Sequence, residues 1–261
     1  MKDICVVIPM YGKGEYTKSC IDKTIENAGI KDFDILVVDD GSPEPFHHEG
    51  AIHLRLPENK GFTNAANQGI LWCGDMYKYI HLLNNDTEPF PNFLKILYEY
   101  MEANSGVGIA CSARVLKTDK AHNVELFGAD LIRGYQIMTD ESVPPDAIPT
   151  YWVPLCSAML RHEMIREIGI LDKSMKIWSS DLEYCIRSNI KGWNVVVKPD
   201  SRVFHIHQVT TGTNNSEGVQ KDQMALLEIL SGIKYAEIMT KMPLDCESNT
   251  YGSLEFKVFK K

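Results

Sequence analysis

Two adjacent carboxylates, Asp39 and Asp40, close an apolar run and precede Gly41 and Ser42. Carboxylates there can accept hydrogen bonds from a base or a sugar, and Gly41 permits a tight turn. Asp-Gly is equally an ordinary turn dipeptide. A second polar cluster, Asn84-Asn85-Asp86-Thr87, ends another apolar run. A pyrophosphate needs its charge neutralised, and magnesium or manganese does this while keeping only one or two protein carboxylates. Asp86 suits that ligand role and Asn84 a carbonyl or water-mediated contact, although Asn-Asn-Asp is also turn-forming. Asp181 follows Trp178-Ser179-Ser180 at the entry to a short helical pattern. Ser179 or Ser180 is a candidate cap. In the first turn the helix dipole favours ionised Asp181. An ionised carboxylate suits a general base acting on a hydroxyl, although simple capping is the plainer use. His205 and His207 flank Ile206 and project to one strand face, and manganese accepts imidazole. Gly61-Phe62 and Asn67-Gln68-Gly69 bracket a helix start, as a binding loop or as packing glycines.

These side chains need elements that bring them together. Residues 4–8 read as a strand ended by Pro9, and residues 15–28 as a helix stopped by Gly29. Strands follow at 33–38, 53–56, 79–83 and 107–111, with helices at 64–72 and 93–103 between them. Near-continuous apolar strands separated by helices indicate an α/β fold with a parallel sheet covered on both faces. Ligands of such sheets bind at the carboxyl ends of strands. Pro9 to Tyr11, Asp39 to Ser42 and Asn84 to Thr87 therefore share one rim. The second half is less regular. Strands are expected at 124–132 and 151–160, joined by a loop with Pro144, Pro145 and Pro149, and again at 194–198 and 202–207. Helices are expected at 162–168, 182–191 and 219–239, and a mobile stretch at 209–217. Nothing divides the chain into independent domains.

At 261 residues, 44% hydrophobic and 24% charged, the chain can bury a substantial core. Its net charge of −8 argues against a global basic face for nucleic acid or membrane surfaces. No run approaches the roughly 20 apolar residues that span a bilayer, and the first residues resemble no signal peptide. Seven scattered cysteines without a CxxC pair read as buried thiols of a reducing compartment. A cytoplasmic enzyme is expected.

Taken in order, the segments resemble the family 2 inverting glycosyltransferases of the GT-A fold. The nucleotide-binding half is carried by Val6-Val7-Ile8-Pro9-Met10-Tyr11, Val37-Val38-Asp39-Asp40-Gly41-Ser42, Glu58-Asn59-Lys60-Gly61-Phe62 with Asn67-Gln68-Gly69, and Leu82-Leu83-Asn84-Asn85-Asp86-Thr87. The acceptor half is carried by Cys156-Ser157-Ala158-Met159-Leu160-Arg161, Gly169-Ile170-Leu171-Asp172, Ser180-Asp181-Leu182-Glu183-Tyr184-Cys185, Gly192-Trp193 and Pro199-Asp200-Ser201-Arg202-Val203-Phe204-His205. The pattern is nearest to the rhamnosyltransferase-like branch. The resemblance implies one GT-A domain, a Rossmann-like, mainly parallel sheet flanked by helices with a smaller acceptor-side sheet. Its nucleotide-sugar half is expected at about 1–115, its acceptor half at 116–207, and a mobile loop and C-terminal helix at 208–261.

It also implies roles. Pro9, Tyr11 and Asp40 would contact the nucleoside, and Asp39 the ribose or structural partners. Gly61, Asn67, Asn84 and Asn85 join the donor-binding set. Asn84 and Asp86 occupy the ends of the family's DxD motif, with Asp86 on a manganese or magnesium ion. His205, or else His207, completes that site, and Asp181 is the catalytic base. The family's first motif aspartate is Asn84 here, and the Glu before the base is Ser180. The expected reaction moves a sugar from a UDP- or dTDP-sugar to a hydroxyl of a saccharide or lipid-linked saccharide. A modified nucleobase or a protein side chain stays open as acceptor, the acidic balance weighing against the former. Two other readings are a sugar-nucleotide nucleotidyltransferase, for which Gly12-Lys13-Gly14 is a slight indication, and a non-catalytic nucleotide-sugar-binding protein.

Overall fold

The computed structural model describes residues 2–117, 122–127, 135–139, 146–206, 216–232, 250–251 and 254–255. Strands β1 (Ile4–Met10), β2 (Phe33–Asp39), β3 (Ile52–Arg55) and β4 (Tyr79–Leu83) pair in parallel, in the order β3-β2-β1-β4. Side chains of a strand alternate between faces, and here both faces are apolar. Cys5 and Val7 enter one core cluster, while Ile4, Val6 and Ile8 enter the other. Helix α1 (Gly14–Asn27) covers the second face with Cys20 and Ile21, and α2 (Phe62–Cys73) covers the first with Ala65, Ala66 and Ile70.

Helix α2 lies unusually close to the sheet. A Cβ on Gly69 would stand 2.3 Å from Cγ1 of Val7 and 3.2 Å from Cγ2 of Val38. Gly69→Ala is therefore expected to destabilise by about 1–3 kcal/mol, as overpacking of a filled core does. Thermal unfolding reads this out; an unchanged melting temperature would show that the helix can shift outward freely.

The later elements complete the same sheet: β5 (Thr87–Pro89), α3 (Phe93–Ala103), β6 (Val107–Lys117), β7 (His122–Phe127), β8 (Tyr135–Thr139), β9 (Ile148–Thr150), β10 (Ser157–Arg161), α4 (His162–Ile168), α5 (Ser180–Ile190), β11 (Asn194–His205) and α6 (Ser216–Gly232). Its main path runs β3-β2-β1-β4-β10-β6-β11-β5, with β7 and β8 beyond β6 and β9 beside β11. The strands of the second half thus continue the central sheet, and β10 is antiparallel to both neighbours. A short hairpin, β12 (Thr250–Tyr251) with β13 (Leu254–Glu255), stands apart from it.

Several expected boundaries are corrected. Residues 151–160 are not one strand: β10 begins at Ser157, and the stretch before it includes Pro154, which lacks an N–H to donate. Pro149 lies in the short strand β9, not a loop, where it stands opposite Val196; proline is tolerated there because, among the described residues, β9 pairs on one side only. The two strands expected at 194–198 and 202–207 are one, β11, with an irregularity between Lys198 and Arg202. Strands β5 and β8 were not expected. The mobile stretch at 209–217 lies outside the described residues up to 215, and Ser216 and Glu217 begin α6. Residues 233–239 of the expected last helix, 128–132 of the expected strand, and His207 also lie outside them.

A buried polar chain crosses the centre of the sheet. Ser201 donates from Oγ to the Phe93 carbonyl (2.9 Å), Ser112 bonds Ser201 (2.8 Å) and Ser157 (2.9 Å), and Ser157 meets His81 Nε2 at 3.3 Å. Burial pushes His81 down to about 3, so it stays neutral. The chain ties β11, β6, β10 and β4, whose ends carry the residues described next.

Candidate functional site

The carboxyl end of β1 is tied to that of β2. The Asp40 N–H donates to the Met10 carbonyl (2.9 Å), and the Gly12 N–H donates to Ser42 Oγ (2.8 Å). Pro9 is buried within the strand, whereas Tyr11 is exposed at its tip. Asp39 shapes this turn: Oδ1 accepts the Ser42 N–H (2.8 Å) and Oδ2 accepts Arg55 Nη1 (2.7 Å). Of the two roles considered for Asp39, these are the structural one.

Asp40 is buried and receives the loop before α2. Its carboxylate accepts the N–H groups of Lys60 (3.0 Å) and Gly61 (2.7 Å). Burial raises its pKa, and the two N–H groups oppose that rise. Gly61 has φ 92°, and a Cβ there would stand 2.7 Å from the Lys176 carbonyl oxygen. This glycine is needed for a close approach, so it serves packing as well as the loop. Asn67, expected among the donor contacts, has its side chain turned to Leu171 instead. It is fully buried, its amide donates to the Leu171 carbonyl (2.8 Å), and its carbonyl accepts the Leu171 N–H (2.9 Å).

The segment 84–87 forms a tight turn from β4 into β5. The Thr87 N–H and Oγ1 both donate to the Asn84 carbonyl, at 3.2 and 2.7 Å, and the Asn84 N–H donates to the Cys156 carbonyl (2.9 Å). Asn85, expected among the donor contacts, is buried and its amide donates to Thr17 Oγ1 on α1 (3.0 Å). Strand β5 pairs with the end of β11, His205 opposite Thr87. That register brings His205 Nε2 to 3.0 Å from Asp86 Oδ1 and 3.3 Å from Asn84 Nδ2. Burial pushes the His205 imidazole down, but its bonds to Asp86 and Cys156 outweigh this and lift it to about 9. Asp86 also borders a pocket of about 190 Å³ between the first turn of α1 and β5.

The residues of this corner fit a hard cation. The side-chain amide oxygen of Asn84, Oδ1, is buried with no hydrogen-bond partner among the described residues, an arrangement that is costly unless a ligand satisfies it. With an Asp86 oxygen and Nε2 of His205, once the imidazole has given up its proton, it would make two oxygens and one nitrogen. The 3.0 Å between the Asp86 and His205 atoms suits neighbouring ligands on an ion with bonds of about 2.1 Å. Among the described residues no three His, Cys, Asp or Glu side chains form a metal cluster, so further ligands would be water or substrate, as magnesium and manganese favour.

Asp181 sits in the first turn of α5. Neither serine caps the helix, a correction of the expected role: Ser179 has φ 65° and makes no capping side-chain bond. Instead Asp181 Oδ1 accepts the Leu182 N–H (2.8 Å). The helix end was expected to favour the ionised form of Asp181, and burial acts against it. Its residue surface is partly open, but the carboxyl is packed among protein atoms, and that desolvation raises it to about 6 against the N–H groups that lower it. The Asp181 charge reaches Cys111 on β6; Cys111 also neighbours Cys156, the partner of His205. Asp181 and the Asn84–Asp86–His205 corner thus share neighbours in one region of the sheet. Arg55, Cys156 and Lys176 were not assigned from sequence, since nothing local marks them.

A family model described as "Glycosyl transferase family 2" matches residues 5–169. No curated protein matches the chain. Among solved structures, the chain is similar to one titled "Crystal structure of GalNAc-T7 with UDP, GalNAc and Mn2+", with a TM-score of 0.68 and 14% identity, covering 88% of this chain and 48% of that one. The chain thus spans about half the length of that relative. The likeness shows the fold, a GT-A-type mixed α/β sheet flanked by helices. Asp181 and His205 lie beyond the family match and rest on the geometry above.

Proposed function

Since this chain belongs to glycosyl transferase family 2, we propose that it moves a sugar from a nucleoside diphosphate sugar to an acceptor hydroxyl by a single inverting displacement. The observation that carries this reading is the corner of Asn84, Asp86 and His205 at the end of β4, beside the β1 and β2 ends where nucleoside contacts are expected. Pro9, Tyr11 and the loop held by Asp40 form the nucleoside end. Asp86, the Asn84 side-chain oxygen and His205 would hold a divalent cation, manganese or magnesium. Such an ion, when bound, would supply the positive charge that offsets the diphosphate leaving group.

Asp181 takes the acceptor's proton. The acceptor oxygen bonds to the anomeric carbon, the bond from that carbon to the diphosphate oxygen breaks, and configuration inverts. A base near pKa 6 is largely deprotonated at neutral pH yet basic enough to share a proton in the transition state. The likeness to a structure holding UDP, GalNAc and Mn2+ supports a UDP- or dTDP-sugar donor and a saccharide or lipid-linked acceptor. The rhamnosyltransferase-like pattern supports a deoxyhexose among the donors.

A thermal-shift panel of UDP- and dTDP-sugars, with and without manganese, tests the reading. One donor should stabilise the chain, and manganese should enlarge the shift; a hundredfold excess over Kd gives about 2.7 kcal/mol. A panel with no metal-enhanced shift would refute it.

A further inference from the structure

From Gly169 to Ser179 the chain has no helix or strand, yet it must present Asp181 in one place. Ser179 carries the strain of a left-handed backbone. What grips this loop is a residue distant in sequence. Asp222 on α6 is buried, 4% exposed, and its carboxylate collects three consecutive N–H groups. Oδ1 accepts Lys176 (2.9 Å), and Oδ2 accepts Ile177 (2.8 Å) and Trp178 (2.7 Å). On its other side the loop is held by the donor half, where the Thr63 N–H at the start of α2 donates to the Lys176 carbonyl (3.1 Å). Helix α6 itself packs on α5, which carries Asp181.

A buried carboxylate is unfavourable unless charge-assisted hydrogen bonds replace its water, and three converging donors do so here. Those donors end three residues before Asp181. We propose that Asp222 is a positioning residue for the base: through the 176–178 backbone it fixes the start of α5, so the C-terminal helix has a part in the transfer step. The inference rests on Asp181 being the base.

Release of nucleoside diphosphate from the donor selected by the thermal-shift panel, with manganese, measures it. Asn at 222 keeps one acceptor, enough for the Ile177 and Trp178 donors; Ala leaves all three unsatisfied. kcat should fall about tenfold for Asp222→Asn and about 100-fold for Asp222→Ala, since a displacement of about 1 Å can have that effect. Donor Kd by calorimetry should stay within about threefold, because the Thr63 contact remains. Combined with Asp181→Asn, neither should slow the reaction further, because a residue acting through the base has no effect once the base is gone. If Asp222→Ala does not fold, the Asn variant completes the same cycle. A kcat within twofold of wild type for Asp222→Asn, or multiplying losses on an inactive Asp181→Asn background, overturns the role of Asp222. Near-wild-type turnover of Asp181→Asn alone instead overturns the base assignment beneath it.

Discussion

Asp181→Asn is expected to lower turnover by about 10²–10⁴-fold, the usual worth of general-base help, while donor affinity stays near wild type. The substitution is nearly isosteric, and the Asn carbonyl can still accept the Leu182 N–H that Asp181 Oδ1 accepts now. What it removes is the site for the acceptor's proton. Stability should not fall with activity. The folded carboxyl is raised to about 6 from 3.8, so what it adds to stability is present below the unfolded value and lost as pH rises through about 6. At pH 7–8 the buried carboxylate is a burden, and Asn should leave the melting temperature equal or higher. Wild-type kcat/KM should climb with pH up to about 6 and level off above it, because only the deprotonated form accepts a proton. The residual activity of the variant should lack that limb. An inactive variant that also melts earlier and binds no donor would point to a structural role instead.

Asp86→Ala should abolish the part of donor binding that depends on metal. Changes one layer outside a metal already weaken its hold by about 10–100-fold, so removing a carboxylate that is itself a ligand is expected to exceed 100-fold. Calorimetry with nucleotide sugar and manganese checks this; equal affinity in variant and wild type would exclude Asp86 as a ligand. The same substitution strips His205 of the carboxylate 3.0 Å away. Asn84→Ala provides the comparison, since it removes the orphaned side-chain oxygen and leaves that ion pair in place.

Much of the scaffold was written locally. β1, β2 and β4 are apolar on both faces, so their runs stand out, and α3 was placed to the residue because its apolar spacing is unbroken. The order of polar clusters along those strands was enough to point to one rim, as parallel strands aligned side by side put their carboxyl ends together. Charge and the absence of long apolar runs narrowed the choice further. All of this depends on near neighbours in the chain.

The tertiary structure decided whatever depends on a distant partner. β5 and β9 are three residues each, too short to show a period, and exist because β11 pairs with both. Asn67 looked like a binding residue until Leu171, 104 residues away, took both ends of its amide. Asp181 was legible as a carboxylate at a helix start, but whether dipole or burial governs it depends on how the helix is packed, and burial prevails. Asp86 could be named a ligand candidate from its spacing alone. Its pairing with His205, 119 residues away, needed the register of β5 on β11. A chain of residue types specifies which groups can bind, accept or donate, but a hydrogen bond or an ion pair also needs a few ångströms of separation, and only the packed sheet sets that distance.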